Sequence, residues 1–164
     1  MKKTFLLLLA MLSLLACKRD EGNQKPKPNP TPQQELSLVG KWQLEKIIIY
    51  SGKDNSILEE IQTDECTKKT TYEFTQEGDF IFIMYRNNDN KCVKEELNHK
   101  YFYNASEKKI AHTPPHLNPK DNADASIINV VALSKNELSL TFHIRDYNND
   151  GVNDKLVETY KRIK

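Results

Sequence analysis

The sequence carries no catalytic or phosphate-binding motif. It contains no Gly-x-Ser-x-Gly, no His-Glu-x-x-His, no phosphate-binding loop and no Cys-x-x-Cys pair. Such motifs hold a nucleophile, zinc ligands, backbone N–H groups or a redox thiol pair at the spacing that their chemistry requires. We therefore predict a protein that is not an enzyme and that uses no organic cofactor.

The chain also lacks an excess of charge of either sign. Its 164 residues carry 24 basic and 23 acidic side chains, for a formal charge of +1. Binding of nucleic acid requires clustered positive charge, so we expect no nucleic-acid partner. The length suits one folded domain, which we expect to be monomeric.

The sequence has only one long apolar run, Phe5 to Leu15, preceded by Lys2 and Lys3. The run is too short to span a bilayer core of roughly 30 Å, but it has the length and flanks of a secretory signal. Leu-Leu-Ala-Cys, ending at Cys17, resembles the lipobox of bacterial lipoproteins. The resemblance implies a signal peptide over residues 1–16 and a lipid anchor on Cys17. The alternatives are a signal peptide with a chance cysteine and an uncleaved anchor.

The charged run that follows bears on the location of the protein. Lys18-Arg19-Asp20-Glu21 resembles the signal that sends some Bacteroidetes lipoproteins to the outer face of the outer membrane, although an ordinary solvated charge run is the alternative. We expect a lipid-anchored outer-membrane protein that faces the periplasm or the cell surface. Residues 17–35 contain no apolar side chain other than proline and cysteine, and they predict a disordered spacer between the membrane and a domain over residues 36–164.

The cysteine count is odd for an exported protein, because there are three. Lipidation of Cys17 leaves Cys66 and Cys92, and an oxidising compartment favours a disulfide between them. The alternative is two free thiols.

Alternating apolar and polar residues predict an all-β domain after residue 35. Turn-forming residues separate the segments, which favours an up-and-down antiparallel sheet, and eight strands can close into a barrel without exposed edges. Residues 57–62 are the only segment in which we expect a turn of helix. The eight predicted strands cover residues 36–50, 70–75, 79–85, 93–103, 108–112, 126–133, 138–145 and 156–163.

The two ends of this domain resemble those of a known family. Gly40-Lys41-Trp42 resembles the Gly-x-Trp signature of lipocalins and their bacterial lipoprotein relatives, and Thr159 to Ile163 resembles their closing strand. The resemblance implies an eight-stranded lipocalin-like barrel in which Arg162 packs across Trp42, with Gly40 allowing close approach of the chain. The resemblance also implies one cysteine before the second strand and one after the third. Cys66 and Cys92 fit these two positions among the predicted strands. The alternative is an unrelated β-sandwich with a core tryptophan.

Residues 146–154, the aspartate loop, resemble the first part of a calcium-binding loop. The predicted ligands are Asp146, Asn148, Asp150, the carbonyl of Val152 and Asp154, with Gly151 at the turn. The bidentate glutamate of an EF-hand is absent, because position 12 is Val157. We expect weak, structural calcium binding; the alternative is a plain hairpin loop.

A barrel of eight strands can enclose one small apolar ligand. We predict a membrane-anchored protein that binds such a ligand; the alternative is an accessory lipoprotein with a solid core that contacts a protein or glycan. His99 and His143 fall at strand positions where we expect surface or rim residues, and two prolines between His112 and His116 argue against a helical zinc site. The candidate ligand-lining residues are Phe80, Phe82, Met84, Tyr101, Tyr103, Leu138, Leu140 and Phe142.

Overall fold

A computed structural model describes residues 37–164. The predicted signal peptide, Cys17 and the spacer over residues 17–35 lie outside the described residues, and so does Leu36. Within residues 37–164, no helix is both long enough and apolar enough to cross a membrane.

The described chain folds into β-strands and one turn of 3-10 helix at Thr67–Lys69. The strands are β1 (Gly40–Tyr50), β2 (Ile57–Ile61), β3 (Thr71–Phe74), β4 (Asp79–Asn88), β5 (Lys91–Asn104), β6 (Lys109–Thr113), β7 (Ser126–Leu133), β8 (Glu137–Arg145) and β9 (Asp154–Ile163).

The strands close into a barrel. From β3 to β9, each strand pairs antiparallel with the next along the chain. The first part of β1 pairs with β3, and β1 also pairs with β9 from Lys41 to Tyr50. Eight strands therefore form a continuous antiparallel ring, as the sequence predicts, and the β-sandwich alternative is wrong.

The ninth strand is a departure from the prediction. Residues 57–61 form β2, not a turn of helix, and pair with the second half of β1. After Gln43, β1 no longer pairs with β3, which leaves that edge of β1 available to β2. The segment Ile57-Leu58-Glu59-Glu60-Ile61 is extended because its backbone groups complete this edge, which is a tertiary effect that local sequence does not report.

A bulge in β1 changes which residues face the barrel interior. The pairing of β1 with β9 shifts between Leu44 and Lys46. Trp42 and Leu44 lie in the core before the bulge, whereas Ile47 packs against the core after it. The alternation of residues in the sequence predicts that Trp42 and Tyr50 lie on the same face of β1. Because of the bulge, Tyr50 instead lines a groove on the outer wall of the barrel.

One end of the barrel is closed by contacts between its first and last strands. The indole Nε1 of Trp42, which is fully buried, donates to the carbonyl of Leu38 at 2.9 Å. The guanidinium of Arg162 lies 3.9 Å from the centre of the Trp42 ring. Its three nitrogens donate to the carbonyls of Ser37, Val39 and Lys135, each at 2.7 Å. The Trp–Arg pairing implied by the lipocalin resemblance is therefore present.

Gly40 makes this close approach possible. Its φ is +141°, and a Cβ atom at this position would overlap the Nη1 atom of Arg162. A side chain here would be strained by the backbone conformation and would also displace the guanidinium.

The structure shows the disulfide between Cys66 and Cys92, so the alternative of two free thiols is wrong. The bond joins the start of the 3-10 turn to the beginning of β5 and closes a loop of 26 residues. In the chain-entropy model a loop of this length stabilises the fold by roughly 3 kcal/mol.

We expect Arg162→Ala to lower the free energy of unfolding by about 2 to 4 kcal/mol, because it removes the contact with Trp42 and three charge-assisted hydrogen bonds. Arg162→Lys should recover little of the lost free energy of unfolding, because an ammonium group does not have the planar arrangement of donors of a guanidinium group. Urea denaturation measures both. The exposed Arg86, which pairs with Glu95 at 3.6 Å, is the control and should cost less than about 1 kcal/mol on truncation to alanine. Equal losses of unfolding free energy in Arg162→Ala and Arg86→Ala would contradict a role for Arg162 in closing the end of the barrel.

Candidate functional site

The barrel interior contains a cavity of about 250 Å³. Its floor includes Tyr72 and Phe80, which belong to the hydrophobic core, and Glu158 lies opposite Ile47, further along β1 than Trp42. The cavity therefore lies beside the solid core and towards the end of the barrel away from the Trp42–Arg162 contact. The lining residues are Tyr72, Phe80, Phe82, Met84, His112, Phe142 and Glu158.

Aromatic rings form most of the cavity wall. Tyr72 makes edge-to-face contacts with the rings of Phe80, Phe82 and Phe142, at centroid distances of 5.3, 5.9 and 6.0 Å. Its other neighbour is Tyr160, whose ring stacks on it at 4.6 Å. These rings come from β3, β4, β8 and β9, so the wall is assembled from strands that are distant in sequence.

A carboxylate interrupts this apolar wall. Glu158 of β9 is half-buried and accepts a short hydrogen bond from the hydroxyl of Tyr160. Burial raises the pKa of Tyr72, and the negative charge of Glu158 raises it further. Burial is also the main cause of the raised pKa of Tyr160, to which Tyr72 and Glu158 add. Both tyrosines are therefore neutral hydrogen-bonding groups around the carboxylate.

A pair of histidines forms the second polar feature. The Nδ1 atoms of His99 and His112 are 2.8 Å apart, so the N–H group of one ring donates a hydrogen bond to the nitrogen of the other. Their rings contact the cavity wall, His112 against Phe80 at 5.6 Å and His99 against Phe82 at 5.4 Å. Burial, with a smaller effect from His99, lowers the pKa of His112 to about 4, and burial lowers the pKa of His99. The pair is therefore uncharged at neutral pH.

The structure divides the predicted ligand-lining residues into two sets. Four of them line the cavity, namely Phe80, Phe82, Met84 and Phe142. Leu138 and Leu140 are fully buried in the solid core, and Tyr101 and Tyr103 pack against that core. The hydroxyl of Tyr101 donates to the carbonyl of Thr75 at 2.9 Å. The predicted set was thus on the inner face, but only half of it meets at the cavity.

Sequence reasoning missed Tyr72, His112 and Glu158 as cavity residues. Tyr72 alternates with Phe74 on β3, which was a usable signal. Glu158 alternates with the buried Tyr160 on β9, but a carboxylate at an inward position is normally taken as solvent-exposed. His99, expected at the surface or rim, is half-buried, because it lies opposite Phe80 in the pairing of β4 with β5 and its ring contacts Phe82.

A larger groove of about 570 Å³ lies on the outer wall of the barrel. Its lining residues alternate with the inward-facing ones on β7, β8 and β9, as Ser139 does between the core residues Leu138 and Leu140. Two apolar side chains there are about half exposed, Val131 at 47% and Ile144 at 54%. This groove is separated from the inner cavity by the sheet itself.

In the aspartate loop the carboxylates accept hydrogen bonds from backbone N–H groups. The two oxygens of Asp146 accept from Asp150 and Gly151 at 3.0 and 2.9 Å. Asp154, which is fully buried, accepts from Gly52 and Tyr147 at 2.9 and 2.8 Å. The hydrogen bond with Gly52 is the main cause of the lowered pKa of Asp154. These contacts join the loop to the turn after β1.

The other predicted calcium ligands lie on the exposed side of the loop. Asn148 donates to Asp150 at 3.2 Å, and Val152 lies at the surface. Among residues 37–164, no group of three or more His, Cys, Asp or Glu side chains converges as for a metal ion. The carboxylates of Asp146 and Asp154 accept hydrogen bonds from backbone N–H groups of the loop and of Gly52 in this arrangement, and calcium binding stays a prediction.

The closed eight-stranded barrel with an internal cavity is the architecture of a lipocalin. The family model described as a lipocalin-like domain matches residues 38–140, and the chain belongs to this family. A search of curated proteins found no significant match.

The solved structures that are similar to this chain include a bovine, a hamster and a dog protein. Bovine odorant-binding protein in complex with undecanal has 17% sequence identity and a TM-score of 0.40, covering 83% of this chain and 77% of its own. Hamster aphrodisin, a sex pheromone, has 10% identity and a TM-score of 0.39, covering 78% and 76%. A dog lipocalin allergen has 12% identity and a TM-score of 0.37, covering 77% and 74%.

His112 predicts a pH dependence of stability. The unfolded imidazole takes up a proton near its ordinary pKa of 6.5, whereas the folded one does so only near 4. The unfolded state therefore binds more protons between these values, and stability should fall as the pH decreases from 6.5 to 4. We expect His112→Phe to reduce this slope in thermal unfolding. His116→Gln changes an exposed histidine and should leave the slope intact; an unchanged slope in His112→Phe would refute the assignment.

Proposed function

We propose that this protein binds one small hydrophobic ligand inside its barrel. The observation that carries the proposal is the cavity of about 250 Å³, which is walled by aromatic rings and Met84. A rigid apolar cavity releases its water at little cost when an apolar molecule enters, and a few polar groups at its edge orient the ligand. Glu158 and His112 are the polar groups here. The volume restricts the ligand to a size near that of a single substituted ring.

Filling the cavity tests this function. We expect Phe142→Trp to abolish the binding of naphthalene and phenethyl alcohol, two neutral compounds, because the larger ring occupies the space between Tyr72 and Glu158. Isothermal titration calorimetry measures the affinity. Val131→Trp places the same ring in the outer groove and should leave binding unchanged.

The same pair of variants separates this function from its alternative. An accessory protein that contacts a protein or glycan has no need of an internal cavity, whereas the half-exposed Val131 and Ile144 would suit such a contact. If the wild-type protein binds neither of these neutral compounds and no charged compound with the same ring, the cavity does not serve ligand binding. If Val131→Trp abolishes binding and Phe142→Trp does not, the ligand site is the outer groove.

Anchoring to a membrane through Cys17 is the second part of the proposal. The lipobox resemblance supports it, and the spacer over residues 17–35 would hold the barrel away from the lipid surface. In a bacterial host, Cys17→Ser should prevent the incorporation of labelled palmitate and move the protein from the membrane fraction to the soluble fraction. Equal labelling of both proteins would reject the anchor. Protease treatment of intact cells then distinguishes the cell surface from the periplasm.

Structural calcium binding by the aspartate loop is a third proposal, supported by the spacing of its oxygen side chains. Calcium at several millimolar should raise the thermal midpoint of unfolding, and Asp150→Ala should remove that increase. Asp150 suits this test because it lies on the exposed side of the loop, whereas Asp154 is buried and its loss would destabilise the fold directly. A midpoint that does not change with calcium would reject the site.

A further inference from the structure

Glu158 is the only acidic or basic side chain other than His112 among the described residues that line the cavity. From the aromatic wall around this carboxylate, we infer that the cavity selects small apolar amines in their protonated form over neutral and anionic molecules of the same shape. This inference rests on the proposed ligand-binding function and narrows the class of ligand.

The carboxylate is placed to pair with a ligand cation. Glu158 faces the interior with Tyr160, whose hydroxyl donates to it. A carboxylate can accept about four hydrogen bonds, so an ammonium group can add to those that Glu158 already makes. Hydrogen bonds between an ammonium and a carboxylate are about twice as strong as neutral ones, and they are screened less inside a protein than at its surface.

The aromatic rings supply a second source of selectivity. Phe82 and Phe142 flank Tyr72 on the wall that also contains Glu158, at centroid distances of 5.9 and 6.0 Å from it. The face of an aromatic ring is negative, so a cation within about 6 Å of the ring is attracted to it. A neutral ligand gains no such attraction, and an anion is disfavoured by both the rings and Glu158.

The histidine pair does not oppose this preference. A histidine cation beside the cavity would favour anions such as fatty acids, but His112 shares a proton with His99 and stays neutral above about pH 4. His112, which lines the cavity, instead offers a neutral hydrogen-bonding group to the ligand. The histidine pair therefore adds no positive charge to the described cavity lining at neutral pH, and Glu158 is the carboxylate in that lining.

Three compounds with the same ring test the inference on the native protein at pH 7. They are phenethylamine, which is protonated at this pH, phenethyl alcohol, which is neutral, and phenylacetate, which is an anion. We expect calorimetry to show phenethylamine binding about tenfold more tightly than phenethyl alcohol, with phenylacetate weakest. Equal affinities of amine and alcohol would overturn the inference and leave the proposed function intact. Binding of none of the three would overturn both.

Two variants assign the preference to its cause. Glu158→Gln keeps the shape of the side chain and should reduce the ratio of amine to alcohol affinity about tenfold. Phe142→Leu keeps an apolar wall without the ring face and should reduce the same ratio by a smaller factor, about threefold. The thermal midpoint of unfolding reports whether each variant is folded. An amine preference that survives in Glu158→Gln would refute the role of the carboxylate.

Discussion

The barrel depends on the contact between Arg162 and Trp42, because this contact joins the last strand to the first. A sheet of eight strands has two edges, and each edge presents unpaired backbone groups until the ring is closed. Pairing of β1 with β9 satisfies these groups along the wall, and Arg162 completes the closure at one end with three bonds to backbone carbonyls. The guanidinium also lies 3.9 Å from the centre of the buried Trp42 ring. Gly40 is part of the same arrangement, because any side chain there would displace the guanidinium.

Closure at one end determines where the cavity can be. Large side chains fill the interior beside Trp42, where Phe74, Phe80, Leu138 and Tyr160 are almost completely buried. Further along the strands the inward positions hold Glu158 and His112, which cannot be packed into a dry core without partners. Their partners, Tyr160 and His99, keep them in place and leave space between the aromatic rings. The cavity thus lies where the inward-facing side chains change from apolar ones to a mixture of apolar and polar ones.

The aspartate loop shows how one motif can serve two purposes. Its carboxylates hold backbone N–H groups of the loop and of the turn after β1, so they stabilise the end of the barrel opposite Arg162. The same oxygen-rich spacing is what favours a calcium site in the sequence. The same aspartate residues can accept hydrogen bonds from backbone N–H groups or bind calcium. The direction in which their oxygen atoms point decides between the two roles.

Strand periodicity and turn residues were enough to predict eight strands that can close into a barrel. The resemblance to lipocalins implied the Trp42–Arg162 contact. The strand segments are encoded locally, because a strand with one buried face must alternate. The sequence also indicated the inner face correctly for Phe82, Met84 and Phe142. It did not indicate β2, whose extended form depends on the free edge of β1 beyond Gln43. It did not indicate the bulge after Leu44 either, since a one-residue shift leaves no distinct composition.

The candidate site itself was decided by tertiary structure. Whether an inward side chain fills the core or lines a cavity depends on what stands opposite it across the barrel, and that partner lies on another strand. Leu140 and Phe142 are two residues apart on β8, yet the first is in the solid core and the second lines the cavity. Glu158 acquires its place at the cavity only when β9 lies beside β1 and Tyr160 lies beside Tyr72. The sequence by itself determined eight of the strand segments and the turns between them, because these follow from short-range pattern. Only packing across the barrel decided where the inward-facing side chains leave a cavity, and that Glu158 lies in its wall.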